Sequence, residues 1–323
     1  MEIRILTNDF KLLKILDGAP QLEYSECFQD AGEIRLTLPF SQKMLEMTAV
    51  GARIVVEELV FTIDSVRVSD DTIIITGAGI FDEFKHLYVT IPHASSATPN
   101  NYALELASAL SLSGVSYSAY GLATTYDTIE VYDYCTSYAS ILKRLFKEYG
   151  LGYRMRYNGD KNELEFHLLA EVDKAYNSQS RKIISDTRES YELVDYVYDV
   201  SGYKNYIQLL QWYPVTRRTI TRAYDRSYGD TKRVLCEAVS IPAETEGELY
   251  MAFEARAISL FNEHRMRHYY VIRPTRELGI RVGDICRLEA QELSRGSGVL
   301  FSERRVRLLD TGRDELYVLE VDQ

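Results

Sequence analysis

The chain has 323 residues, with 37 Lys and Arg against 48 Asp and Glu, a formal net charge of −11. That length predicts about two or three domains able to bury real cores, and 46% hydrophobic with 26% charged residues is a globular composition that excludes a disordered or fibrous chain. The acidity is concentrated: Met1 to Asp133 holds 19 acidic and 8 basic residues while the remainder is neutral, which opposes tight wrapping of nucleic acid by the first part.

Residues 1 to about 78 read as strands. EIRILT, LLKILD, LEYSECF, EIRLTLP, ARIVVEE, LVFTIDSVRV and TIIITGA are short runs parted by turn signals at roughly 8 to 12 residue intervals, the texture of a small barrel or sandwich. The fourth is clearest, with Ile34, Leu36 and Leu38 on one face and Glu33, Arg35 and Thr37 on the other. Near Phe81 the pattern changes: FDEFKHL suggests helical turns and IPHASSATPN a loop or domain crossing. NYALELASALSLS and SYASILKRLFKEYG read as helices, the second with Ile141, Leu142, Leu145, Phe146 and Tyr149 at helical spacing and a Gly150 stop. YRMRY and ELEFHLL around NGDKN form a hairpin, so residues 89–175 make a mixed α/β unit. From Arg181 strands return, interrupted by a long helix between Glu244 and His264 whose stripe is Leu249, Phe253, Ala257 and Leu260. No period repeats in the letters, yet the order of β region, α/β unit and β region is that of a structural duplication.

The 25 tyrosines, against 11 Phe and one Trp, point to sheet positions and wet contact surfaces. Catalytic signatures are missing: the sequence has no Walker loop, GxSxG, HExxH or dinucleotide fingerprint. Cys27, Cys135, Cys236 and Cys286 lie too far apart for a zinc framework and read as four buried thiols. His264 and His268 stand one helical turn apart, but beside Arg265 and Arg267 they read as a solvated helix end. Adjacent carboxylates (Glu57/Glu58, Asp70/Asp71, Asp82/Glu83) point to opposite faces of a strand and read as solvated charge, while Asp284 in RVGD is explained by turn chemistry. No catalytic residue, cofactor or metal ligand is expected. The start has no secretory signal and no window of about 18 apolar residues exists, so synthesis and folding in the cytoplasm are expected. The strongest surface signal is TRRTITRAYDRSY: extended, it projects Arg218, Ile220, Arg222, Tyr224, Arg226 and Tyr228 to one face. Such a face suits a nucleic-acid platform or a subunit interface. Asp225, Asp230 and the overall acidity favour the interface, with Arg218, Arg222, Tyr224 and Arg226 as its residues.

GEIRLTLPF, GARIVVEELVFTIDSVRV, TIIITGAGIFDEF, the SYASILKRLFKEYGLGYRMRYNGDKNELEFHLL helix and hairpin, YELVDYVYDVSGYKNYIQLL and LGIRVGDICRLEA, taken in order, resemble a phage baseplate-hub or siphophage tail-hub protein. The resemblance implies a β-rich α+β fold of two tube-protein-like barrels, residues 1–88 and 176–323, the second carrying the helical insertion around 244–264, with residues 89–175 as a peripheral α/β unit. It further implies a non-enzymatic virion protein at the distal end of the tail. Three copies would form a pseudo-sixfold ring between the distal tail or tail tube protein and tip, fibre or receptor-binding proteins. The channel would pass the tape-measure protein and then DNA without specific binding, which an acidic wall favours by repelling phosphate. The chain stops at Gln323, so wall-degrading or receptor-binding regions that often follow such hubs are expected on other proteins. Two rival readings stay open: a glycan- or receptor-binding module using its tyrosines and Trp212, and a cell-wall hydrolase of unusual sequence.

Overall fold

A computed structural model describes residues 2–16, 21–90, 93–122, 126–133, 136–173, 183–185, 191–241, 243–289, 298–309 and 312–321. The first segment supplies the expected seven strands: β1 (Ile3–Leu6), β2 (Leu12–Leu16), β3 (Gln21–Cys27), β4 (Glu33–Pro39), β5 (Arg53–Val56), β6 (Leu59–Ser69) and β7 (Thr72–Gly79). Strand β4 follows its alternation, burying Ile34, Leu36 and Leu38 and exposing Glu33 and Arg35. A short helix, α1 (Gln42–Met47), stands between β4 and β5, where the sequence reading assigns no element; the Ser41 side chain caps it by accepting the Met44 amide. Residues Ile80–His86 form the anticipated helical turns as a 3-10 segment.

The middle segment contains β8 (His93–Ala97), α2 (Pro99–Ser108), β9 (Ser116–Tyr120), β10 (Ile129–Asp133), α3 (Tyr138–Tyr149), β11 (Leu151–Asn158), β12 (Glu163–Ala170) and β13 (Val172–Asp173). Helix α3 is capped by Ser137 and ends at Gly150, whose φ of 60° is the left-handed conformation that closes helices. The β11–β12 hairpin is as expected, and β9 joins it in parallel. The loop expected at IPHASSATPN is instead partly strand, because β8 finds an antiparallel partner in β10.

The last segment contributes β14 (Ile183–Ser185), β15 (Tyr191–Asp199), β16 (Tyr206–Tyr213), β17 (Arg218–Asp225), β18 (Val234–Ala238), α4 (Glu246–Glu263), β19 (Arg267–Pro274), β20 (Asp284–Glu289), β21 (Gly298–Leu309) and β22 (Gly312–Val321). Helix α4 opens with a reciprocal capping box between Thr245 and Glu248. It lays Leu249, Phe253, Ala257 and Leu260 over Ile207, Leu209 and Ile220 of the small sheet β17-β16-β18.

First and last segments share one sheet, ordered β15-β19-β22-β21-β3-β4-β7-β6-β5-β1-β2. The join is the antiparallel pairing of β3 with β21, from Leu22 opposite Leu308 to Cys27 opposite Glu303. The middle segment shares its core with the first: Leu6, Phe10, Val55, Val60 and Phe81 pack in one cluster with Ile141, Phe146 and Phe166. Phe28, 1% exposed, sits where all three segments meet. Its amide donates to Ser302, its carbonyl accepts from Tyr153, and its ring packs against Val282 and Leu300. Gly152 and Gly283 leave room for that ring: a Cβ on either would lie 2.4 or 2.5 Å from Phe28 Cε2.

Candidate functional site

The sheet is amphipathic across the whole join. On one face, β1 and β3 to β7 bury Ile5, Leu22, Ile34, Leu36, Ile54, Ile63 and Ile75 in a common core with Val306 of β21. On the opposite face runs a cross-strand ladder of polar groups. Register places Ser65 of β6, Thr76 of β7, Arg35 of β4, Glu23 of β3, Arg307 of β21 and Asp314 of β22 side by side. Arg273 of β19 and Glu192 of β15 complete the row. Arg307 Nε lies 3.6 Å from Glu23 Oε1; Arg273 reaches Asp314 with both Nε (2.8 Å) and Nη2 (3.2 Å), and Nη1 is 2.8 Å from Glu192 Oε2. Eight strands therefore contribute to one polar row, in which the six from β4 to β15 alternate in charge and β7 and β6 add hydroxyls, while beside it on β19 and β22 the same face buries Val271, Leu316 and Val318. The row is recessed, forming an open groove of about 690 Å³ along β21, β3, β4 and β7.

Electrostatics here favours pairing over reactivity. Hydrogen bonds from Arg273 hold the Asp314 carboxyl below the usual range, and the same pairing raises the Arg273 guanidinium, first through Asp314 and then through Glu192. On the far side of the sheet, Arg304 is 3.0 Å from Glu315 and 3.8 Å from both Glu26 and Glu57, while Arg313 is 3.0 Å from Glu57. Burial opposes ionisation of Glu315, but its bonds and charge contacts with Arg304 and Arg313 outweigh this and lower its pKa. Glu57 and Glu83 are thus structural partners rather than solvated charge; Glu83 accepts from Arg53, whose side chain is 8% exposed. Such fixed ion pairs neutralise one another; Asp64, which lines the same groove, has its carboxyl raised, by burial first and then by Asp82.

Of the face read from TRRTITRAYDRSY, β17 carries Arg218, Ile220, Arg222 and Tyr224, turned on α4 of its own chain; the strand ends at Asp225, so Arg226 and Tyr228 lie beyond it, and Tyr228, at φ 50°, is 94% exposed. Arg218 Nη2 is 2.8 Å from Glu246 Oε1, the Arg222 guanidinium lies 4.7 Å from the Tyr250 ring and that of Arg226 lies 4.4 Å from the Phe261 ring. Tyr224 is half-buried against the same helix cluster, while Arg218, Arg222 and Arg226 keep exposed parts. The aromatic partners of Arg222 and Arg226 come from α4, so the ring faces of Tyr250 and Phe261 are already occupied and do not form an open stacking platform. Trp212 lies opposite Thr219 and is 58% exposed.

Other candidate groups are dispersed. His264 caps α4, its Nδ1 3.2 Å from the Gly202 carbonyl, whereas His268 lies on β19 among Tyr196, Tyr198 and Tyr270, so the two do not form a shared site. Among the described residues no group of three His, Cys, Asp or Glu is gathered as a metal ion requires. Cys286 is buried, Cys27 is half-buried and Cys236 is exposed, which departs from the expectation of four buried thiols; Cys135 lies outside the described residues. Asp284 is the turn residue it was read as, its Oδ2 accepting the Arg281 amide at 2.7 Å beside Gly283, φ 96°. The charge ladder itself was not legible in the sequence: alternation shows which residues share a strand face, and only register shows which strands meet.

No protein-family model matches the chain, and no curated protein matches it by sequence. Among solved structures it is similar to the tail protein of Neisseria meningitidis MC58, with a TM-score of 0.58 at 12% identity over 99% of this chain and 96% of that one. The 43 kDa tail protein of prophage MuSo2 from Shewanella oneidensis gives 0.55 at 13% identity, covering 99% and 98%. Prophage tail protein gp18 of Listeria monocytogenes EGD-e gives 0.54 at 10% identity, covering 100% and 95%. At these identities the likeness shows a shared fold. The chain has the β-rich fold of prophage tail proteins along its whole length.

Proposed function

We propose that the chain is a structural component of a phage or phage-like tail, a hub of which three copies close into a pseudo-sixfold ring around a channel. The observation that carries this reading is the eight-strand polar face, built half from the last segment (β15, β19, β22, β21) and half from the first (β3, β4, β7, β6). Two four-stranded units in one chain are what a threefold ring needs to match a sixfold tube. In this reading residues 1–88 and 176–323 hold the two tube-like units, and residues 89–175 lie at the periphery. The ring sits at the distal end of the tail, with a distal tail or tail tube protein on one side and tip, fibre or receptor-binding proteins on the other. The exposed ends of Arg218, Arg222 and Arg226 beside Tyr224 belong to the outer contact surface.

The ladder suits a channel wall. The charges of Glu23, Arg307, Asp314, Arg273 and Glu192 are paired within the protein, so a passing tape-measure chain or DNA meets side chains that already have partners, and Glu33 on the same face adds local negative charge that discourages phosphate from adhering. Nothing in the ladder is poised for bond cleavage, and the role is structural rather than enzymatic. The test is the mass and shape of the purified protein, by light scattering and electron microscopy. Three-copy rings with a central opening are expected. A protein that stays monomeric at high concentration, and that forms no ring in assembled particles, overturns the reading.

A further inference from the structure

The small sheet β17-β16-β18 carries its charges inward. One of its faces lies under α4 and the other meets solvent. A sheet covered on one side ordinarily buries its apolar residues and turns its charged ones outward. Here Arg218, Arg222 and Glu237 project to the α4 side, where Glu246, the Tyr250 ring and Arg256 receive them. The alternate residues face solvent instead, and on β17 these are Thr219, Thr221 and Ala223, all exposed. Register sets them opposite Trp212, Leu210 and Gln208 of β16, and places Ala238 and Cys236 of β18 on the other flank of Leu210 and Gln208. Trp212 is 58% exposed, and Cys236 and Ala238 are exposed as well.

From Trp212 to Gln208 this open face is neutral across all three strands. Charge enters only at the end where Asp225 stands opposite Tyr206: Lys232 is 2.7 Å from Asp225 and 4.5 Å from the Tyr206 ring centroid, so both charges there have partners. Between that end and Trp212 the small side chains of Ala223, Cys236 and Ala238 keep the surface low on both sides of β16. The side chains of Gln208, Thr219 and Thr221 make no hydrogen bond among the described residues, leaving one amide and two hydroxyls free along the strand that presents the indole.

We infer that this face binds a neutral polysaccharide chain laid along β16. The inference does not depend on the ring reading. Three properties select the occupant. The first is charge: with no cation on the face, a nucleic acid or an anionic lipid surface finds nothing to neutralise it. The second is size: the face measures about 26 Å by 14 Å, roughly half of what one partner gives to a standard protein interface, too little to hold a second copy of the chain. The third is chemistry. The indole of Trp212 offers an apolar platform for the C–H face of a pyranose ring, while the Thr219 and Thr221 hydroxyls and the Gln208 amide can exchange hydrogen bonds with the sugar hydroxyls. An apolar contact with a few placed polar groups is how small-ligand sites combine affinity with orientation.

Trp212 is the single tryptophan, so its fluorescence reports the contact directly. Titration of the full chain with cellohexaose, maltohexaose and chitohexaose should give, for at least one of them, a saturable shift of the emission to shorter wavelength, with the same affinity by calorimetry. The bound chain should also slow labelling of Cys236, which flanks Gln208 about 13 Å along β16 from Trp212. By calorimetry Trp212→Ala is expected to weaken binding by about tenfold or more. Trp212→Phe should keep most of it, Thr221→Arg should weaken it, and Tyr228→Ala, beyond the end of β17, should leave it unchanged. The altered side chains are exposed, so the variants should keep the wild-type circular dichroism. Absence of binding to all three sugars at millimolar concentration overturns the inference, as does binding that survives Trp212→Ala or leaves Cys236 labelling unchanged. Cys236 that is unreactive in assembled particles without any sugar also overturns it, and assigns the face to a protein contact.

Discussion

Removal of the Phe28 ring tests whether the three segments form one cooperative structure. The side chain is 1% exposed, and its neighbours come from β11 (Gly152), the turn before β20 (Val282, Gly283) and β21 (Leu300). Phe28→Ala loses the transfer free energy of the ring and leaves a cavity between backbones that cannot collapse freely, a cost of about 3 to 5 kcal/mol. With an unfolding entropy of about 0.7 kcal/mol/K for a chain of this length, a loss of about 4 kcal/mol lowers the melting temperature by roughly 6 °C. Gly283→Ala alone should also destabilise, since its Cβ would sit 2.5 Å from Phe28 Cε2 and 2.8 Å from Cδ2 at a φ of 96°. In the double variant the ring is gone, so the steric part of the glycine penalty vanishes and the two losses should fall short of additivity by about 1 kcal/mol or more. Urea unfolding followed by far-UV circular dichroism and by fluorescence of Trp212, the single tryptophan, measures both quantities. Trp212 lies on β16, far along the chain, so it reports whether the last segment unfolds with the first. A Phe28→Ala loss below about 1 kcal/mol, additive double-variant energies, or a Trp212 transition that stays put while the dichroism moves would each refute the keystone role.

Acid should destabilise the fold through the ladder and the far-side network. The pKa values of Asp314 and Glu315 are lowered on folding, so their stabilisation is present above their unfolded values, near pH 4, and is lost as pH falls through the folded ones. The urea midpoint should drop between about pH 5 and pH 3, and Asp314→Asn should flatten that slope; an unchanged slope contradicts the pairing. Thiol accessibility gives a separate check: with Cys135→Ser, native protein should react promptly at one thiol, Cys236, while buried Cys286 and half-buried Cys27 lag until unfolding. Burial first, then nearby acids, raises the Cys27 thiol pKa and slows it further. Two prompt thiols, or none, would contradict the packing.

Much of the local structure was legible because it is written in short periods. The alternation of β4, the stripe and Gly150 stop of α3, the hairpin around NGDKN and the body of α4 each follow from residues two to four apart. Helix α1 was missed because six residues are too few for a helical period to show: Met44 and Leu45 pack only half-buried against the first core, and Ser41 is its capping signal. Strand β8 was missed because HASSA carries no strand signature, and its pairing with β10 supplies what its side chains do not.

For the candidate site the division is sharper. Alternation correctly grouped Arg218, Ile220, Arg222 and Tyr224, with Arg226 beyond the strand end, yet the element covering that face, α4, begins only at Glu246. The sequence by itself determined which residues share a strand or helix face, the concentration of acid in the first 133 residues and the β-rich class. Only the tertiary structure decided that β3 meets β21, that Glu23, Arg307, Asp314, Arg273 and Glu192 line up across strands, and that β5 covers only the first part of β6. The physical reason is that side-chain periodicity is local, whereas backbone hydrogen bonds between strands are blind to residue type. Partner and register are chosen by the packing of the whole chain, which burial of both segments against common cores settles only once all three segments are in place.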